Sequence, residues 1–174
     1  MIEQFSGLAG VLTAEVGALE NAGLGETTIA TLKATQAAAL HLSRAQLLEG
    51  PVLSSWPALI GYCRAAMGHD LTEAFRVLFL DRRNRLIKDE VQQRGTVDHT
   101  PVYPREVVKR ALEIGATALI LVHNHPSGDA TPSRADIEMT KQITAAAGAL
   151  GIVLHDHLIM TRSEEASFKA MGLL

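Results

Sequence analysis

Residues 116–136 constrain this chain more than any other stretch. There the apolar run ATALILV (116–122) leads into His123-Asn124-His125-Pro126-Ser127-Gly128 and, after Asp129 and Ala130, into Thr131-Pro132-Ser133-Arg134-Ala135-Asp136. A short, mostly apolar run preceded by Gly115 predicts a buried β-strand. Side chains two apart on a strand share a face, so His123 and His125 are expected to project together from its exit. Pro126 removes a backbone donor and Gly128 tolerates unusual dihedrals, which ends the strand in a turn. Thr131-Pro132-Ser133 then opens a helix with Asp136 in its first turn. Two imidazoles from a strand end and a carboxylate from a helix start can meet at one point. Three such ligands leave a coordination position open, the property that separates a catalytic zinc site from a closed structural one. Simpler readings stand beside this one. A histidine at a strand end is commonly a surface or hydrogen-bonded residue, and Ser133-x-x-Asp136 has the form of a capping box. Spacing alone leaves metal binding and these alternatives evenly matched.

Taken jointly, His-x-His, seven residues, Ser, two residues and Asp resemble the JAMM signature of the MPN-plus metalloproteases. The HNHPSG core resembles the RadC family in particular. The likeness extends further: residues 73–81 (EAFRVLFLD) are similar to the family's Glu-x-Phe-x-Val strand. Tyr103-Pro104-Arg105-Glu106, Asp156-His157-Leu158-Ile159 and the closing Ser167-Phe168 with Gly172-Leu173-Leu174 are similar to its recurring blocks. The resemblance implies an α/β MPN/JAMM sandwich, cytidine-deaminase-like, over residues 51–174, with a small helical, helix-hairpin-helix-like segment over residues 1–50. It implies one Zn2+ per chain held by His123, His125 and Asp136. It also implies Glu73 as general base toward zinc-activated water and Ser133 as hydrogen-bond donor to the developing oxyanion. Glu73 is chosen by the resemblance alone, since Glu90, Glu106 and Glu113 are equally acidic. The implied reaction is hydrolysis of peptide or isopeptide bonds in a protein or peptide substrate. The alternative is a non-enzymatic DNA repair or recombination accessory that binds DNA, as the family's naming implies.

Composition narrows the setting. A chain of 174 residues, 47% apolar and 20% charged, has the proportions of a folded domain with a small appendage. A formal net charge of −3 gives no global reason to bind nucleic acid or an anionic membrane. No apolar stretch approaches the roughly 18–20 residues of a membrane span, and MIEQFSGLAG lacks the basic-then-apolar order of a signal peptide. A single cysteine, Cys63, excludes an internal disulfide. A cytoplasmic protein without membrane contact is expected, with Cys63 as buried filler in the helix-like PALIGYCRAAM.

Residues 1–50 are rich in Ala and Leu at helical spacing. Gly23-Leu24-Gly25 is similar to the turn of a helix-hairpin-helix, which offers backbone N–H groups to a phosphate; a helix C-cap glycine with a tight turn is the favoured reading. Five glutamates face only Lys33 and Arg44 here, a net −3 where phosphate tracking calls for a basic excess. RadC-like chains usually carry a longer N-terminal region, so the resemblance implies an abbreviated one here. Gly50-Pro51 is the expected boundary, after which Ser54 or Ser55 caps a helix entering through Trp56-Pro57, with Trp56 as a packing anchor. Residues 75–80 and 86–92 predict strands joined by a polar turn. A helix over 104–114 presents Val107, Val108, Ala111 and Leu112; another after Ser133 presents Ile137, Ile143, Ala147 and Leu150. Ile152-Val153-Leu154 predicts a buried strand ending in His155-Asp156-His157. For both of these histidines, hydrogen-bonded support of a ligand or of the strand end is expected, rather than ligation.

Overall fold

A computed structural model describes residues 3–5, 7–95 and 102–174. The chain divides into two compact units, Met1–Gln46 and Leu47–Leu174. The first holds α1 (Leu8–Thr13), α2 (Val16–Asn21) and most of α3 (Glu26–Leu48). Val11, Leu19 and Ile29 form its small core, with Phe5, Leu24 and Leu32 packed against it. Gly23, at φ +83°, ends α2 in a Schellman turn: its N–H donates to Glu20 O at 2.8 Å, and Leu24 N–H donates to Leu19 O at 3.1 Å. The Gly-Leu-Gly turn is therefore a helix stop, as the favoured reading had it, and these two amides are consumed by α2 itself.

The second unit runs α4 (Trp56–Met67), β1 (Ala74–Leu80), β2 (Leu86–Arg94), α5 (Pro104–Glu113), β3 (Ala118–Asn124), α6 (Arg134–Gly148), β4 (Val153–Met160) and β5 (Glu165–Ser167). Its sheet has the order β2-β1-β3-β4-β5. The β3/β4 pair is parallel and the other pairs are antiparallel, because a parallel neighbour needs a crossover and α6 supplies it. Every residue of β3 is buried. Strands covered on both faces read as continuous apolar runs, and this one does.

The alternation along β3 appears in the layer each side chain meets. Ile120 and Val122, with Leu78, Leu80, Leu158 and Met160, pack with Leu59, Cys63 and Met67 of α4. Leu119 and Leu121, with Phe75, Val77 and Phe79, pack with Val107 and Ala111 of α5 and Ile143 and Ala147 of α6. The result is a helix–sheet–helix α/β sandwich of the MPN/JAMM class, with a helical segment before it. His123 continues the Leu119–Leu121 face toward α6. Burial pushes the Cys63 thiol up to about 12, which keeps it a protonated packing group.

The elements depart from the sequence expectation in several places. Ser55 precedes α4 but its side chain makes no capping bond; a turn of 3₁₀ helix, Val52–Ser55, leads in instead. β3 starts later than the apolar run because Ala116 N–H is spent on Ala111 O, closing α5, and it runs on through His123 and Asn124. Leu112 and Leu150 are exposed; Leu150 lies beyond the end of α6, where helical spacing no longer applies. β4 is longer than expected and opens on an exposed Val153, so His155-Asp156-His157 lies inside a strand and not at its end.

A Leu121→Ala substitution empties a site between sheet and helices and is expected to cost about 2–5 kcal/mol. Leu112→Ala, at the surface, is expected to change stability by no more than about 0.5 kcal/mol. Urea denaturation of the two variants measures both; equal losses would contradict the layer assignment.

Candidate metal centre

The upper end of β3 delivers the first ligand candidates. His125 N–H donates to Met160 O at 2.9 Å, carrying the β3/β4 ladder one residue past β3. The chain then turns away through Gly128, whose φ of +90° suits glycine. His123 Nε2 lies 2.9 Å from His125 Nε2 and 3.4 Å from Asp136 Oδ1. His125 Nε2 lies 3.6 Å from Asp136 Oδ2. One ligand atom from each of the three residues falls within 4.8 Å of the others, the one His/Cys/Asp/Glu group so placed among the described residues.

Asp136 is also the N3 residue of a capping box. Asp136 N–H donates to Ser133 Oγ at 3.1 Å, while Ser133 N–H donates to Asp136 Oδ2 at 2.8 Å. The Ser133 hydroxyl donates to the same Oδ2 at 2.6 Å. Capping and convergence on the imidazoles are therefore compatible: Oδ2 is held by Ser133, and Oδ1 faces His123.

The donor set fits a zinc ion. The Asp129 carbonyl, 2.7 Å from His125 Nδ1, can only accept, so Nδ1 carries the hydrogen and the neutral ring turns an Nε2 lone pair into the cluster. Ligand atoms around tetrahedral zinc, at about 2.0–2.1 Å from the metal, stand about 3.3 Å apart. The separations from His123 Nε2, 2.9 Å to His125 Nε2 and 3.4 Å to Asp136 Oδ1, lie on either side of that value. Mixed nitrogen and oxygen donors suit zinc as well.

Electrostatics point the same way. Burial raises the Asp136 carboxyl, but hydrogen bonds to His123 and then His125 outweigh it and hold the group far below the usual carboxylate range. The bond to Asp136 lifts His125 above its ordinary value despite burial, and the Glu73 charge adds to the lift. Burial, then the His123 charge, pushes His157 well down. The cluster favours a positive charge at its centre.

Glu73 immediately precedes β1. Phe75 pairs with His123, and continuing that register by two residues sets Glu73 beside His125 on the face toward α6. Its carbonyl accepts from Gly95 N–H at 2.8 Å. Asn124, on the opposite face, anchors the same segment. Its Oδ1 accepts Ala74 N–H at 2.8 Å, and its Nδ2 donates to Thr72 O at 3.0 Å and Asp70 O at 3.4 Å. Sequence reasoning passed over Asn124. The available signal was an amide between two histidines at the end of a buried strand, where it must face the other layer and find partners there.

The second His-x-His separates. A register shift leaves His155 unpaired between Leu154 and Asp156, and its Nε2 meets Asn84 Oδ1 at 2.7 Å, bracing the β1–β2 turn. His157 is fully buried with its Nε2 2.8 Å from His123 Nδ1.

The sheet order, the helical layers and the convergent His-His-Asp group define a JAB-type, or MPN, domain. The chain matches the family model described as RadC-like JAB domain over residues 53–173, and it belongs to that family. It is similar to a UPF0758 protein of Rhodobacter capsulatus, 61% identical over 175 residues that span all of this chain and 82% of that protein. A UPF0758 protein of Ruegeria pomeroyi is 56% identical over 175 residues, spanning all of this chain and 78% of that protein. Among the described residues, no helix is long and apolar enough to cross a membrane.

Asn124→Ala leaves the buried Ala74 N–H without its acceptor and is expected to cost about 1–3 kcal/mol in denaturant unfolding; an unchanged midpoint would count against the anchoring role. The titration of the cluster gives a second expectation, for chelator-treated protein. A raised His125 contributes stability that is complete below its ordinary value of 6.5 and is lost as pH rises through its folded value. A lowered Asp136 contributes stability present above its ordinary value of 3.8 and lost as pH falls toward its folded value. The stability gap between wild type and His125→Asn is therefore expected to be widest between these two values and to shrink toward alkaline pH. A gap that stays the same from this window up to alkaline pH would refute the coupling.

Proposed function

We propose that this chain is a zinc-dependent hydrolase of peptide or isopeptide bonds, with His123, His125 and Asp136 as zinc ligands and Glu73 as general base. The supporting observation is the convergence of two imidazole nitrogens and a carboxylate at separations suited to tetrahedral zinc, with Glu73 at the flank of His125. Zinc, when bound, supplies a Lewis acid that polarises a carbonyl and makes water nucleophilic near neutral pH.

The protein's own groups do the rest. Glu73 takes the proton of the attacking water and delivers it to the leaving amine. Ser133 is the proposed donor to the developing oxyanion, a role worth roughly 3 kcal/mol in comparable sites. Its single hydroxyl hydrogen rests on Asp136 Oδ2, and one hydrogen serves one acceptor. Donation to a substrate thus requires the hydroxyl to turn from Asp136, which keeps its bond from the Ser133 amide. The proposed substrate is a protein or peptide, and the proposed setting is the cytoplasm. For the DNA-accessory alternative, no observation among the described residues speaks in favour: the N-terminal segment is net acidic, and two amides of its glycine turn are committed to α2.

Protein purified without added metal is expected to carry about one zinc per chain by elemental analysis. His125→Ala is expected to lose the metal. Glu73→Gln is expected to keep it while hydrolysis of a peptide library falls by about 10²–10⁴-fold. Equal loading of wild type and His125→Ala, or unimpaired hydrolysis by Glu73→Gln, would refute the assignment. Salt-sensitive DNA retention with no hydrolysis would favour the accessory reading.

A further inference from the structure

The inner side of His123 faces a chain of three hydrogen bonds that crosses from β3 through β4 to α6. His123 Nδ1 is 2.8 Å from His157 Nε2. His157 Nδ1 is 2.6 Å from Thr140 Oγ1. Thr140 Oγ1 is 2.6 Å from the main-chain oxygen of Asp136, one turn back along α6. His123, Thr140 and His157 are all buried, and His157 is fully so. Phe168 stacks on the His157 ring with centroids 4.5 Å apart, and Phe75 meets it edge-on at 5.8 Å.

Hydrogen counting gives this chain a direction. A carbonyl oxygen only accepts, so the single hydroxyl hydrogen of Thr140 goes to Asp136 O. Thr140 Oγ1 must then accept, and the hydrogen it accepts is on His157 Nδ1. A neutral imidazole carries one hydrogen, and that of His157, buried between Phe168 and Phe75, is already on Nδ1, which leaves its Nε2 as an acceptor. His123 Nδ1 therefore carries the hydrogen that fills it. The remaining nitrogen of His123, Nε2, presents a lone pair to His125 and Asp136.

We propose that Thr140 and His157 are positioning residues that lock His123 in the tautomer whose Nε2 is free to take a divalent metal. The inference rests on the ligand assignment made above and extends it: the main chain of Asp136 fixes the tautomer of His123, while its side chain supplies a neighbouring donor. Two of the ligands are thereby set by a single helical turn. His125 reaches the same tautomer by a separate route, through the Asp129 carbonyl.

The test uses the full chain as wild type, Thr140→Val and Thr140→Ser. Valine matches threonine in shape and deletes the hydroxyl; serine restores it. Long-range ¹H–¹⁵N NMR on chelator-treated protein at mildly alkaline pH reads the tautomer directly. Competition with a fluorescent chelator reads zinc affinity, and thermal unfolding checks that each variant is folded. Expected are an Nδ1–H tautomer for His123 in wild type and Thr140→Ser, and a mixture or reversal in Thr140→Val. Zinc affinity is expected to drop about 10–100-fold in Thr140→Val and to recover in Thr140→Ser. A wild type whose His123 carries its hydrogen on Nε2 overturns the proposal, even if every variant misfolds. So does a folded Thr140→Val with wild-type tautomer and affinity, which leaves the ligand assignment standing. A wild type that takes up no zinc overturns both together.

Discussion

The candidate metal centre depends on β3 keeping its hydrogen-bonded register beyond the point where its apolar sequence ends. The strand is paired on both sides, with β1 and with β4, and the ladder with β4 continues to His125 N–H. Alternation is thereby enforced on three consecutive polar residues. His123 and His125 are turned toward α6, and Asn124 toward the opposite layer. In a frayed strand end these side chains would be free to reorient. Here the two neighbours fix the peptide planes, and the imidazoles inherit that order. Burial of polar groups at such a point is tolerable only when each finds a partner. His123 finds His157, Asn124 finds the backbone of residues 70–74, and His125 finds the Asp129 carbonyl.

Asp136 joins this arrangement from the start of α6, and it holds two roles that need not compete. An N-terminal cap of this kind is worth about 0.5–2 kcal/mol, and the helix terminus further favours a carboxylate in its first turn. Oδ2 takes the capping bonds and lies 3.6 Å from His125 Nε2, while Oδ1 faces His123 Nε2 at 3.4 Å. The orientation of the acid is therefore fixed by helix formation before any cation arrives, which lowers the ordering cost of assembling the cluster. The capping box of Ser133-x-x-Asp136 is present, and it leaves the carboxylate turned toward the imidazoles, so the two readings that spacing alone sets against each other do not exclude one another.

The elements that carry the site were largely legible, because each obeys a short-range rule. The apolar run, the turn residues after His125 and the Ser-x-x-Asp start of a helix are local signals. What escaped depends on long-range pairing. The extent of β4 through His155-Asp156-His157 is set by parallel pairing with β3, which no local pattern encodes. The separate fates of His155 and His157 follow from an irregularity in that ladder. Their sequence context is symmetrical, so only the fold distinguishes the one that braces a turn from the one that touches His123. Asn124 was missed because its partners lie about fifty positions earlier in the chain. Leu112 and Leu150 were placed inside by helical spacing, but spacing cannot say where a helix parts from its sheet. Glu73 illustrates the same limit from the other direction: resemblance singled it out, whereas its neighbourhood to His125 comes from antiparallel register.

The pairing of β1 with its other neighbour, β2, has its own guarantor, away from the candidate metal centre. β2 is an edge strand, and its pairing with β1 contains two irregularities, between Phe75 and Arg76 and between Phe79 and Leu80. Edge strands with irregular pairing are open to slippage. Between the two shifts, Arg76 on β1 reaches both carboxylate oxygens of Asp89 on β2 at 2.7 Å, and the Tyr62 hydroxyl of α4 donates to the same group. Burial and the Asp89 charge push the Tyr62 hydroxyl above its usual range, so it remains a donor. A buried ion pair adds little net stability, but separating its partners costs roughly 3–5 kcal/mol because a charge is left buried and alone. Sliding β2 by one residue would impose that separation. It would also withdraw Gly95 N–H from the Glu73 carbonyl, which is held on its other flank by the Asn124 bond to Ala74. A charged cluster in the opposite layer of the sheet thus selects the β1/β2 pairing in which Gly95 N–H holds the carbonyl of the proposed base.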